Sequence, residues 1–388
     1  MLLYVHVPFC VRKCGYCAFH SGPFSRAAAD EYVGLALREM AGWGEELGRV
    51  RVETVYFGGG TPSLLTTAQI GSILDTAARV FDLDAGAEIT LEANPESTLG
   101  NGFLPGLRTL GVNRLSLGVQ SLHDDLLAML GRPHDAGQAR KAVDAARDAG
   151  FDNLSLDLIW GLPGQDLAGW MRDLEGAVRM EPAHLSCYGL SLEDGAPLAA
   201  RVGRGELSMP DEDAAARMYL DGSAYLEAHG FRHYEVSNYA RSGRESRHNR
   251  GYWDGLEYLG LGPSAVSTLG DRRWANPEGL GDYARAVAAG TARAGTEILS
   301  AATRRQEMVM LALRTGAGLD LEKFMATTGM EFPWRHPAVE RLCSSGLAAL
   351  RSGHLHLTRK GMLLSNSVIE MVLEMLDGMS EETAQESQ

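Results

Sequence analysis

Cysteines 10, 14 and 17 stand inside the run CVRKCGYCAF and are three of the five cysteines in the chain. Three is an unusual number for thiols that act together, because a disulfide consumes two and a closed structural zinc site takes four ligands. Thiolates suit zinc, copper(I) and iron–sulfur clusters. His6 or His20 could complete a zinc site, although zinc ligands usually come as CxxC with a second pair at a distance. A [4Fe–4S] cubane is normally held by four cysteines, so CxxxCxxC leaves one iron open to a small-molecule ligand. On spacing the cluster leads, with zinc as the competing reading.

Composition narrows the setting. Fifty acidic against 36 basic residues give a formal net charge of −14, which argues against a nucleic-acid surface or a polybasic membrane anchor. It leaves open docking on a membrane partner. No apolar run reaches the length of a membrane span. The opening MLLYVHVPF lacks a basic leader and a small-residue cleavage site, so it reads as a first strand. An odd cysteine count without an export signal points to a cytoplasmic protein.

Strand signals recur at LLYVHVP, VETVYFGGG, AEITLEANP, NRLSLGVQS, NLSLDLIWGLPG and HLSCYGLSL. Helical stripes lie between them, among them Val33, Leu37 and Met40, and Ile70, Ile73, Leu74, Ala77 and Val80. The alternation predicts parallel strands with right-handed crossovers. Polar or glycine-rich residues close each strand: the cysteine loop, Gly58 to Pro62, Glu92 with Asn94, Gln120 and Asp157. A doubly wound sheet gathers its ligand at one switch point, whereas barrel enzymes build a shared site from many carboxyl-end loops. Five successive contributions favour an α/β fold of partial (βα)6 barrel type. Residues 1–235 are expected to form this barrel and 236–295 an extension. Residues 296–378 read as a mostly helical, winged-helix-like domain with a short strand at GHLHLT, and 379–388 as a disordered tail.

CxxxCxxC with Tyr16 before the last cysteine resembles the radical S-adenosylmethionine superfamily, in which the open iron binds the amino and carboxylate groups of that cofactor. YVHVPFC, VYFGGGTPSLL, LEANPE, NRLSLGVQS, GRPH, SLDLIWGLPGQ, LSCYGLSLE and HNRGYWDGLEYLGLGPSA extend the likeness from Tyr4 to about Leu376. They resemble the branch that includes oxygen-independent coproporphyrinogen III oxidases and HemW haem chaperones. The resemblance implies that Cys10, Cys14 and Cys17 hold the cluster. It implies that Tyr4, Tyr16, Gly59, Gly60, Thr61, Glu92, Gln120, Arg132 and Asp157 line the S-adenosylmethionine site. The chemistry suits each role: Glu92 can take the ammonium, Arg132 offers a planar fork to a carboxylate, and Asp157 can accept from ribose hydroxyls. Gly59 and Gly60, without Cβ atoms, let backbone approach closely.

Three features separate oxidase from chaperone in this branch. The oxidase carries a further cysteine where this chain has Phe19, and a long arm before the cluster, which a chain opening nine residues before Cys10 is expected to lack. The HNRGYW run matches the HNxxYW motif typical of HemW. By this resemblance the chain binds haem and passes it to an acceptor protein, with an electron-donor protein serving the cluster. His248, Asn249, Tyr252 and Trp253 are the candidate haem contacts. A neutral imidazole at His248 could ligate iron or instead bond a backbone group, and Arg241, Arg244, Arg247 and Arg250 could pair with propionates or stay solvated. Cys187 and Cys343 read as buried apolar residues, and the methionine-rich IEMVLEMLDGM as core or docking surface. A radical methyltransferase or cyclopropanase of HemW-like class is the alternative enzyme, and a zinc-structured binding protein a further one.

Overall fold

The six expected strands run parallel and in chain order in the computed structural model, which describes residues 1–17, 20–100 and 102–386, with side chains described to residue 378. They are β1 (Leu2–Val7), β2 (Arg51–Gly59), β3 (Asp82–Ala93), β4 (Arg114–Gln120), β5 (Leu154–Trp160) and β6 (His184–Gly189). Each pairs with the next. Parallel pairing requires long crossovers, supplied here by α1 (Arg26–Leu47), α2 (Thr67–Val80), α3 (Phe103–Thr109), α4 (Ala136–Asp148) and α5 (Leu167–Arg179). Local sequence starts these helices. Capping boxes at Thr66/Gln69 and Asp135/Gln138 open α2 and α4, and Asp166 accepts from the Gly169 amide at the head of α5. Strand β3 begins five residues before the expected Ala87, because Arg51 and Val52 pair with Asp82 and Leu83 ahead of a register shift.

Side chains alternate between two environments along every strand. Leu3, Val5 and Val7 of β1, Val55 and Phe57 of β2, Leu91 of β3, and Leu115 and Leu117 of β4 enter one core with the helices. The intervening residues turn into the barrel: Tyr4 and His6, Thr54 and Tyr56, Glu88 and Glu92, Arg114 and Ser116, Ser155 and Asp157, His184 and Ser186. Parallel strands buried on both faces are usually apolar throughout. Here the interior is polar and its residues bond one another, as when Ser116 donates to Asp157 at 3.0 Å.

The sheet is wider than the six strands read from the sequence. After helix α6 (Glu212–Ala228) come strands β7 (Arg232–Glu235) and β8 (Asn238–Ala240); β8 adds antiparallel to β6, and β7 pairs antiparallel with β8 at the sheet edge. Helix α7 (Arg247–Trp253) then carries the chain to the opposite flank, where β9 (Tyr258–Leu261) pairs parallel with β1. Strands β10 (Val266–Leu269), β11 (Arg272–Ala275) and β12 (Ala294–Ile298) complete twelve. Strands of the stretch 236–295 thus continue the barrel's own sheet.

A second core forms beyond it. Helices α8 (Ala301–Ala312), α9 (Leu321–Thr328) and α10 (Pro337–Ser344) surround a three-stranded sheet of β13 (Leu319–Asp320), β14 (Ala348–Arg351) and β15 (His354–Leu357). Val309, Phe324, Leu342, Val372 and Met375 pack inside, so the methionine-rich segment contributes to core. Trp160 touches both cores, and the Val236 amide donates to the Arg314 carbonyl at 2.9 Å. The last helix, α11 (Ser365–Glu386), carries helical backbone through most of the segment expected to be a disordered tail. The Glu- and Ala-containing end propagates a helix already nucleated by packing.

Candidate functional site

The cysteine loop is fastened over the carboxyl ends of the strands by backbone bonds. Phe9–Cys10 pairs with Gly22–Pro23, the Gly15 amide donates to the Leu130 carbonyl at 3.1 Å, and the Leu198 amide donates to the Gly15 carbonyl at 2.8 Å. Phe19 lies outside the described residues. Cys10, Cys14 and Cys17 are all partly buried and line one cavity of about 1530 Å³. Arg132 donates to the Cys14 sulfur at 3.4 Å, and Thr61 to the Cys10 sulfur at 3.6 Å. Two of the three sulfurs thus already receive a side-chain hydrogen bond of the outer-shell kind that orients cluster ligands. No group of three or more His, Cys, Asp or Glu among the described residues converges on a point that one metal ion could fill. A cubane presents its irons at separate corners, which three thiols lining one cavity could meet.

Glycines hold the loop close to the barrel. A Cβ on Gly60 would sit 2.4 Å from the Phe9 carbonyl oxygen, and one on Gly59, whose φ is +107°, 2.7 Å from the His6 ring. The close approach met inside the chain is therefore to β1 and the root of the cysteine loop. Gly60→Ala is expected to displace the backbone next to Cys10 and lower cluster occupancy several-fold in a folded protein, as measured by iron and sulfide per chain. Parent-like occupancy would refute this.

Tyr4, Tyr16, Gly59, Gly60, Thr61, Glu92, Gln120, Arg132 and Asp157 all line this same cavity. Glu92 accepts from the Tyr56 hydroxyl at 2.7 Å. Burial, only partly offset by that bond, raises its pKa from an ordinary 4.5 to about 7. Asp157 is likewise raised by burial, against the hydroxyls of Ser186 and Ser116. The fork of Arg132 is largely engaged by the protein, with one nitrogen donating to Asn94 at 2.5 Å and the Gly118 carbonyl at 2.9 Å. Its buried Nε has no partner among the described residues, an unfilled donor beside the cavity. Gln120 closes β4 with φ +66°, a left-handed conformation unusual for a side-chain-bearing residue and found at functional strand ends.

Arg114 is a site-supporting residue that the motifs did not reveal. It is fully buried beneath the cavity, and its Nε and Nη1 lack partners among the described residues. Burial opposes its charge, but Glu88, Tyr56, Tyr234 and Asp157 together raise its pKa. The legible signal was a charged residue opening an otherwise apolar strand.

The HNRGYW run departs from expectation. Glu88 accepts the backbone amides of Arg247 (3.1 Å) and His248 (3.0 Å), fixing the head of α7 beneath the barrel. This is a carboxylate at a helix N-terminus. His248 is only 1% exposed, and both its ring nitrogens are engaged, with Thr54 Oγ1 at 2.7 Å and Tyr252 Oη at 3.0 Å. Burial, then the charge of Arg114, lowers its pKa to about 3, so the ring is neutral. It is not presented as an open iron ligand. Tyr252 and Trp253 line the cavity, whereas His248 and Asn249 do not. Nor do the neighbouring arginines reach it: Arg241 donates to the Pro182 carbonyl, Arg244 pairs with Asp152, and Arg247 donates to the Gly86 carbonyl. Cys187 is buried, and Cys343 packs on the second core.

A parallel barrel with three cysteines poised over buried carboxylates defines a protein of radical S-adenosylmethionine type. The model of the Radical SAM superfamily matches residues 4–175, and that of the HemN C-terminal domain residues 299–364. The crystal structure of coproporphyrinogen III oxidase (HemN) from Escherichia coli shares the fold, with a TM-score of 0.83 at 24% identity, covering 96% of this chain and 89% of that one. The chain belongs to the HemW family. Heme chaperone HemW of Mycobacterium tuberculosis is 40% identical over 376 residues, 96% of this chain and 94% of that protein. Heme chaperone HemW of Bacillus subtilis is 34% identical, covering 94% of this chain and 97% of that protein. The mitochondrial radical S-adenosyl methionine domain-containing protein 1 of Bos taurus is 35% identical, covering 96% and 87%.

Proposed function

We propose that this protein is a haem chaperone that carries a [4Fe–4S] cluster and S-adenosylmethionine in its barrel, binds haem in the outer part of the same cavity, and hands the haem to an acceptor protein. The observation that carries the reading is the continuity of the cavity. It runs from the three cysteines past Glu92 and Asp157 to a face shared by the strands after α7 and the C-terminal domain. Cys10, Cys14 and Cys17 would hold the cluster, Glu92 the cofactor's ammonium and Asp157 its ribose. Bound and reduced, the cluster and cofactor supply one-electron chemistry, with an electron-donor protein serving them. The chain's own contribution is to orient these groups, exclude water and present the Glu92 carboxylate to the ammonium.

The outer cavity suits a flat amphiphilic macrocycle. Tyr188, Leu256 and Val266 are 42%, 45% and 39% exposed there, beside Trp253 and Met308. An exposed apolar face inside a concave site marks a ligand surface. Arg12 and Lys13 from the cysteine loop and Arg304 and Lys323 from the C-terminal domain also line it, and none is in an ion pair among the described residues. They could meet carboxylates there, whereas Arg273 is already held by Glu307. A donor that must release its haem is better served by such a rim than by an enclosed pocket.

Among the described residues no helix is long and apolar enough to cross a membrane. The proposed setting is the cytoplasm, where clustered cysteines more often serve metal or redox chemistry than disulfides, with any membrane contact made through a partner.

Titrating haem into anaerobically reconstituted protein, followed by the Soret band, tests the proposal. Saturable binding near one haem per chain, weakened when Arg304 and Lys323 are both changed to Gln, is the expected result. Absence of saturable binding, with reductive cleavage of S-adenosylmethionine intact, would favour the radical methyltransferase reading.

A further inference from the structure

The ring of His248 stacks on Tyr56, with centroids 4.9 Å apart and planes at 27°. On the other side of Tyr56, its hydroxyl donates to Glu92 at 2.7 Å. Tyr4 leans over both rings, 6.4 Å from His248 and 6.1 Å from Tyr56, and its hydroxyl bonds His6 Nδ1 at 3.1 Å. Tyr252 meets His248 edge to face at 4.9 Å and presents its own surface to the cavity. His248 is thus the hub of three tyrosines, each of which touches the proposed cofactor site or the carboxylate in it. Its two nitrogens pin the hub at opposite edges, to Thr54 on β2 and to Tyr252 on its own helix.

We infer that His248 is a positioning residue, which holds Tyr56 against Glu92 and so ties helix α7 to the S-adenosylmethionine site, and that it is not the haem-iron ligand. The inference rests on the assignment of Glu92 to the cofactor's ammonium. Geometry explains the residue type. A flat ring is needed to fill the slot beneath Tyr56, and polar atoms are needed at both edges to satisfy two buried hydroxyls. Iron ligation would require the ring to surrender one of these bonds and leave the stack, uncovering a hydroxyl in a buried site. The arrangement also gives α7 two faces of influence. Through His248 and Tyr56 it sets the donor on Glu92, and through Tyr252 and Trp253 it forms cavity wall, so occupancy at one end can be felt at the other.

The experiment measures S-adenosylmethionine affinity of cluster-loaded protein by equilibrium dialysis, and the electron paramagnetic resonance of bound ferric haem, in three variants. His248→Ala is expected to weaken the cofactor about tenfold, as loss of one buried stacking and bonding contact does, with the haem signature unchanged. His248→Phe keeps the stack but neither edge bond and has no ligating nitrogen, so affinity should lie between the alanine variant and the parent, again with the same haem signature. Glu92→Gln serves as the control for the underlying assignment. If Glu92→Gln leaves cofactor affinity intact, the placement of the ammonium is wrong. If it weakens binding while His248→Ala does not, the positioning role is overturned. A changed haem signature in His248→Phe would overturn the inference in the other direction and restore His248 as a ligand. Should the alanine variant fail to fold, the phenylalanine variant carries the test: weakened cofactor with the parent haem signature supports positioning, and parent affinity or a changed haem signature overturns it.

Discussion

Cys14→Ser yields a folded chain that holds no cluster. Cys14 sits in an irregular loop outside both apolar cores, and its sulfur receives one bond, from Arg132 at 3.4 Å. Serine preserves the volume and the acceptor. It cannot replace a soft thiolate toward iron, because its hydroxyl stays protonated at neutral pH and oxygen is a hard donor. With two of three protein ligands left, reconstitution should fall from roughly four irons per chain to well under one. The apo variant should unfold within about 1 kcal/mol of the apo parent, as surface-loop changes usually do. Retention of full iron and sulfide would sink the assignment of Cys14 as a ligand. A large loss of apo stability would show instead that the thiol is structural.

Glu92→Gln is expected to lose cofactor affinity and gain stability together. The pKa of Glu92 stands at about 7 in the fold against an ordinary 4.5. A carboxyl raised in this way favours folding fully below its unfolded value, and that contribution is lost as pH climbs through 7. At pH 8 the charged, buried Glu92 therefore costs the apo protein about 3 kcal/mol. Glutamine removes the charge while its carbonyl still accepts the Tyr56 hydroxyl, so the apo variant should unfold at higher denaturant at pH 8 and differ little from the parent near pH 4. Binding moves the other way. A buried ammonium without its carboxylate loses roughly 3 kcal/mol or more, a hundredfold or greater loss in affinity. Parent affinity should fall as pH drops below 7, where Glu92 takes a proton, and the variant should show no such slope. A variant that neither gains stability at pH 8 nor loses affinity would remove Glu92 from the site. Glu39 and Glu235, also raised to about 7 by burial, are common to both proteins and cancel in the comparison.

Much of this molecule is legible in its residues taken locally. The cysteine spacing, the glycine run and the polar strand ends are each set within a few positions. The strand-helix alternation follows from apolar periodicity, and the caps at Thr66, Asp135 and Asp166 start helices from adjacent side chains. These features need no distant partner, so sequence alone determined a partial parallel barrel with a cluster loop and carboxylates at its mouth.

What it could not determine depends on contacts between residues far apart in the chain. His248 reads in the sequence as an iron ligand or a backbone-bonded ring in an arginine-rich segment, yet Thr54, 194 residues away, and Glu88, 160 residues away, draw it beneath the barrel. Arg114 gives no motif, and its weight comes from Glu88, Tyr56 and Asp157 converging on it from neighbouring strands. The added strands of the twelve-stranded sheet are short, and β9 becomes a strand by lying beside β1. Local periodicity records which residues are apolar and how they repeat. Only the folded chain decides which polar groups are buried together, and burial is what raises the Glu92 pKa to about 7 and makes His248 a neutral support.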